Sequence, residues 1–106
     1  MAQVVINRVT VGYDSEQLTV NTNLNVLTPS KYKDTSTSGG ALAAFITLED
    51  ASMRYRYDGG APTSTLGHKL LDGGVLVLNG QNQMQNFKFI QTGGASGPIY
   101  VTYERV

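Results

Sequence analysis

The chain contains no cysteine, which removes three chemistries together: a disulfide framework, a thiolate zinc site and a cysteine nucleophile. Charge is sparse, with Asp, Glu, Lys and Arg making up 15% of the residues against about 25% in an average protein. Eight basic residues balance eight acidic ones, for a formal net charge of zero. That balance disfavours a nucleic-acid partner held by a basic surface. Histidine occurs once, at His68, so every acid-base or metal hypothesis runs through one side chain. Tryptophan is absent. The stretch Met1 to Arg8 holds only Val4, Val5 and Ile6 as an apolar run, too short for a signal-peptide core or for a spanning helix of about 20 residues. The expectation is a soluble chain with no membrane partner, made in the cytoplasm. No repeat of about 20 to 50 residues and no coiled-coil heptad is present.

What is present is punctuation. The chain has 106 residues, twelve of them glycine and three proline, and these separate segments too short for helices but suited to strands. From Leu18 to Leu27, the apolar residues Leu18, Val20, Leu24 and Val26 recur at even spacing, which predicts a half-buried strand or strand pair. Pro29 to Gly40 has no periodic apolar positions and reads as the longest loop. Ala44, Ile46 and Leu48 alternate with Phe45, Thr47 and Glu49 in a further strand. Met53 to Asp58 alternates without a break, sending Met53, Tyr55 and Tyr57 to one face and Arg54, Arg56 and Asp58 to the other. Val75 to Leu78, apolar on both faces, is expected inside a sandwich. The amide-rich stretch Gln81 to Asn86 reads as a loop before Phe87 to Thr92. Ile99, Val101 and Tyr103 alternate with Tyr100, Thr102 and Glu104 in the last strand. Six to eight short strands with turns between them indicate an all-β fold, a compact antiparallel β-sandwich or jelly-roll-like barrel with an N-terminal extension. The expected division is an arm or edge strand over 1–15 and one sandwich domain over 16–106.

The chemistry-bearing residues have ordinary explanations. No spacing brings Asp58, Asp72, Ser64 or Thr65 to His68, so no catalytic residue is expected. Asp58 and Asp72 each precede paired glycines, but the acidic spacing of a calcium loop is missing; they read as turn aspartates, and no metal or cofactor is expected. The glycine pairs 39–40, 59–60, 73–74 and 93–94 lack the Lys-Ser or Lys-Thr of a phosphate cradle and suit hairpins instead. Contact surfaces are the better prospect. Tyr13 and Tyr32 lie in segments not expected to be fully buried, and tyrosine combines apolar area with a polar tip suited to a protein or glycan contact. Pro62 and His68 flank the irregular connection after Asp58. The uncharged amides Gln81, Asn82, Gln83 and Gln85 suit a wet interface, and Val4, Val5 and Ile6 suit an arm that adds to a neighbour's sheet. Met53, Tyr55, Tyr57, Leu76, Leu78, Phe87, Phe89, Val101 and Tyr103 are expected to fill the core.

An ordered string of motifs carries a resemblance. It runs Ile46-Thr47-Leu48-Glu49-Asp50-Ala51, Met53-Arg54-Tyr55-Arg56-Tyr57-Asp58-Gly59, Ala61-Pro62-Thr63, Gly67-His68, Phe87-Lys88-Phe89-Ile90 and Val101-Thr102-Tyr103. The stretch from Ala41 to Glu104 resembles small structural proteins of tailed bacteriophages, among them decoration or cement proteins of the capsid exterior. The resemblance implies a non-enzymatic virion component that binds and stabilises the shell of the major capsid protein and self-associates as a dimer or trimer. The alternative within the same resemblance is a neck, tail or receptor-binding component. Either implies assembly in the host bacterial cytoplasm. The N-terminal arm, the Asp58 to His68 connection and the amide stretch are then the expected contact segments.

Overall fold

The structure, a computed structural model, describes residues 10–33 and 40–105. Its strands are β1 (Val11–Val20), β2 (Asn25–Val26), β3 (Ala43–Leu48), β4 (Ser52–Arg56), β5 (His68–Leu70), β6 (Val75–Asn79), β7 (Lys88–Thr92) and β8 (Gly97–Arg105). Two short helices, α1 (Pro29–Tyr32) and α2 (Gln81–Asn86), join them. The strands form two four-stranded sheets of order β1-β8-β3-β6 and β2-β7-β4-β5, antiparallel throughout. The pairs β1/β8, β2/β7, β3/β6 and β4/β5 are the rungs of one long antiparallel ribbon, and successive rungs fall alternately in the two sheets. Contacts of β8 with β3 and of β7 with β4 then close each sheet. A ribbon rolled up in this way is a jelly roll, the expected all-β sandwich in its more specific form.

Alternation explains which side chains enter the core. Ala44, Ile46 and Leu48 of β3 are buried while Phe45 and Thr47 turn outward, and Ile99, Val101 and Tyr103 of β8 have no exposed surface. Met53 and Phe89 face them from the second sheet, with Phe87, Leu78 and Met84 alongside. Tyr103 also closes a polar contact at the β1 side. Its hydroxyl donates to the Glu16 carboxylate, which accepts in addition from the Thr28 hydroxyl at 2.6 Å and the Thr28 amide at 3.2 Å. Burial, aided by that carboxylate, pushes the Tyr103 hydroxyl far above the usual tyrosine range, so it stays a donor.

Several expectations are corrected. The Leu18 to Leu27 run is broken after Val20, because the Asn21 carboxamide accepts from the Asn23 amide and from the Asn25 side chain and turns the chain. Leu24 and Val26 are left exposed while Leu27 is buried. Pro29 opens a helix rather than a loop, as its fixed φ and missing N–H suit the first helical position, and Tyr32 in that turn is buried. Gln81 to Asn86 is a helix that buries Met84. Val75 to Leu78 lies on an edge strand, so only its inward residues Leu76 and Leu78 pack on the core and Val75 is exposed. Tyr57 is not core: β4 ends at Arg56, and Tyr57 is 46% exposed. From Val11 on, the stretch read as an arm or edge strand over 1–15 is part of β1, an edge strand of the first sheet paired with β8; residues 1–9 lie outside the described residues.

Candidate binding surface at the β4–β5 connection

The site begins with the ring order inside the second sheet. Tyr55 of β4 pairs in register with Phe89 of β7 and His68 of β5, so all three share the inward face. Phe89 and Phe87 stand 5.5 Å apart, Phe87 and Tyr55 5.7 Å, Tyr55 and His68 5.3 Å, and the His68 ring stacks on Tyr57 at 6.0 Å and 25°. An aromatic ladder therefore runs from the sealed core to two exposed rings, and each contact restricts the next.

Past the strand end, the backbone turns at Asp58. Arg56 Nε and Nη2 donate to the two Asp58 carboxylate oxygens at 3.0 and 2.8 Å, and the Gly60 amide donates to the first of them at 3.1 Å. A Cβ at Gly60 would lie 2.4 Å from Arg56 Nη2, so a larger residue there would displace the guanidinium from its present place. The Arg56 hydrogen bonds, joined by that of the Gly60 amide, hold the Asp58 carboxyl down at about 2 from an ordinary 3.8. Because the folded pKa is depressed, this pair favours the folded state above pH 3.8 and ceases to do so as pH falls through about 2. Exposure to solvent keeps the contribution small. A carboxyl-detected NMR titration is expected to place the Asp58 midpoint near 2 in the native chain and to return it towards 3.8 in Arg56→Ala; an unchanged midpoint in the variant would refute the pairing.

The connection between Asp58 and His68 is fastened rather than loose. Thr63 and Leu66 exchange backbone bonds at 3.0 and 3.3 Å, Arg54 Nη1 donates to the Gly67 carbonyl at 3.0 Å, and the Thr92 hydroxyl donates to the Ser64 carbonyl. Gly67 has φ +127, and a Cβ there would stand 3.0 Å from the Tyr55 carbonyl oxygen, so this close approach requires glycine. Between the loop and the ladder lies a concavity of about 560 Å³ lined by Arg56, Tyr57, Asp58, Leu66, Gly67 and His68. The end of α2 and the start of β7 lie beside Gly59, next to its rim: Lys88 of β7 donates to the Gly59 carbonyl at 3.0 Å, and a Cβ at Gly59 would stand 3.4 Å from the side-chain oxygen of Asn86 of α2.

Of the residues singled out in the sequence, His68 is central to this surface, and Asn82 and Gln85 are exposed on the adjoining α2. Gln81 and Gln83 are half-buried, with Gln83 accepting from the Asn79 amide at 2.7 Å. Pro62 is buried, and it lines a separate concavity with Thr63, Ser64 and Ile90. Tyr32, expected to be at least partly open, is 3% exposed and packs against Tyr103. Tyr13 sits at the bulge in β1, its hydroxyl donating to the Lys31 carbonyl at 2.8 Å and its ring under Arg105. Val4, Val5 and Ile6 lie outside the described residues. Asp72 does not approach His68; its carboxylate accepts from the amide of Asp50, a residue with φ +64. Asp58 and Leu66 belong to the connection expected to make contacts, whereas Arg56 and Tyr57 are missed in the sequence because the β4 alternation, continued past the strand end, sends Tyr57 to the core. The Asp58-Gly59-Gly60 turn was the available signal that the strand had stopped. Comparison of the chain with protein-family models, curated proteins and solved structures found no match.

Proposed function

We propose that this protein is a non-enzymatic structural component of a bacteriophage virion, a decoration protein that binds the outside of the major capsid protein shell. The observation that carries the reading is where the resemblance string falls. Its apolar members, such as Ile46, Met53, Phe89 and Val101, fill the jelly-roll core, while Arg56, Asp58 and His68 line one surface concavity. Such a string describes a rigid sandwich core whose polar members gather at the surface. The electroneutral composition and the exposed amides of α2 suit a wet, adaptable contact with a lattice. Self-association as a dimer or trimer belongs to the same reading. It is supported by the outer face of the first sheet, where Phe45, Val75, Val77 and Tyr100 gather and Tyr100 is 48% exposed.

Quantitative mass spectrometry of purified virions tests the reading. A copy number equal to that of the major capsid protein, or a simple fraction of it, is the expected result. A handful of copies per particle would move the protein to the neck or tail, and its absence from the particle would overturn the structural role.

A further inference from the structure

We propose that the concavity bounded by Tyr57, His68, Arg56 and Asp58 binds a neutral saccharide, one or two sugar rings in size. The inference does not depend on where in a virion the protein sits. The space of about 560 Å³ falls within the range of small-ligand sites, roughly 300 to 1,000 Å³. One wall is aromatic and open: Tyr57 is 46% exposed and stacked on the exposed His68 ring. The negative face of such a ring attracts the weakly positive C–H face of a sugar and has no such fit for a hydroxyl-bearing edge.

The same concavity is lined by a donor and acceptor pair, Arg56 and Asp58. Asp58 Oδ2 accepts one hydrogen bond from Arg56, and a carboxylate oxygen has room for a second. Arg56 uses Nε and Nη2 on Asp58, while Nη1 meets no acceptor among the described residues. An acceptor beside a donor is what two neighbouring sugar hydroxyls require, since each gives and receives one bond. The pair is also electroneutral, so a phosphate would meet the Asp58 carboxylate and an ammonium the Arg56 guanidinium; a neutral polyol meets neither penalty. The hydrogen bonds of Arg56 and of the Gly60 amide to Asp58, with the ring contacts of the ladder, arrange these groups before any ligand arrives, which lowers the ordering cost of binding.

A free sugar and a sugar unit of a longer glycan share this chemistry. Amide NMR titration of the intact protein with glucose, galactose, mannose and N-acetylglucosamine, each beside its disaccharide, separates the two. The expected result is saturable shifts confined to residues 56–68 with at least one sugar, at a dissociation constant in the millimolar range. A tighter disaccharide marks a glycan site, and equal affinity marks a site for one ring. Tyr57→Ala is expected to weaken binding roughly tenfold or more and Tyr57→Phe to preserve it. Because Tyr57 lies beyond β4 and is half-exposed, unchanged amide positions elsewhere will show that the variant is folded; His68→Ala provides a second test of the aromatic wall. The proposal is overturned if no sugar shifts these amides, if Tyr57→Ala binds as the native chain does, or if inorganic phosphate or uridine monophosphate shifts them more tightly than every sugar.

Discussion

Phe89→Ala is expected to lower the free energy of unfolding by about 3 to 5 kcal/mol, the range for removing a fully buried aromatic side chain. Phe89 has no exposed surface, lies in register between Asn25 of β2 and Tyr55 of β4, and packs on Phe87. A domain of this size is stable by only about 5 to 15 kcal/mol, so the loss is a large share of the total. With a shift of about 4 to 8 °C per kcal/mol, the melting temperature should fall by roughly 12 °C or more. Tyr57→Ala, half-exposed beyond the strand end, should change stability by about 0.5 kcal/mol or less. Equal melting temperatures for the two variants would contradict the division of the ladder into a buried root and an exposed tip.

Gly97→Ala is the second large effect, expected to cost about 1 to 3 kcal/mol or more for adding a single methyl group. At the start of β8, the added Cβ would lie 2.2 Å from the Glu49 carbonyl oxygen and 3.1 Å from the Asp50 carbonyl carbon. Both obstacles are backbone, and that backbone is tied on two sides. The Glu49 amide donates to the Pro98 carbonyl at 3.1 Å and the Asp50 amide to the Asp72 carboxylate at 2.9 Å. Residues 49–51 form the corner where the chain leaves the first sheet for the second, so relief of the clash must open that corner. Gly94→Ala is the matched control, since its Cβ would meet nothing within 4 Å; it should be neutral or stabilising by up to about 1 kcal/mol through the unfolded state. Urea unfolding will show the difference as a lowered midpoint at unchanged slope for Gly97→Ala alone. Coincident midpoints for the two alanine variants would refute the close approach.

Particular residues show how far local pattern reaches. Alternation alone puts Ala44, Ile46 and Leu48 on one strand face, and Ile99, Val101 and Tyr103 on another; Met53, Val101 and Tyr103 are expected core residues, and the structure buries all seven. The glycine pairs were read as turns, and Gly59, Gly73 and Gly93, the first of their pairs, all take positive φ. The same reasoning failed where an element ended or where a neighbour supplied the missing partner. Tyr57 was carried inward by an alternation that β4 had already abandoned. Tyr32 was read as a surface residue because nothing around it in the chain is apolar, yet it is buried against Tyr103, 71 positions away. Gln81 to Asn86 has no helical apolar stripe beyond Met84, and that single buried side chain docks the helix.

By itself, the sequence determined the class of fold: strand periodicity of two, interrupted by glycine and proline, is a local property that the backbone must obey wherever the strands end up. It determined as well that cysteine chemistry plays no part in this chain, since the absence of that residue needs no coordinates to interpret. Which strands lie at the edges, and therefore whether Val75 is covered or exposed, was decided only by the rolled order of the ribbon. The candidate site was decided in the same way. Tyr57 and His68 are eleven residues apart in the chain and become stacked neighbours only because β4 and β5 pair and a fastened loop folds back between them, a long-range contact that no local pattern encodes.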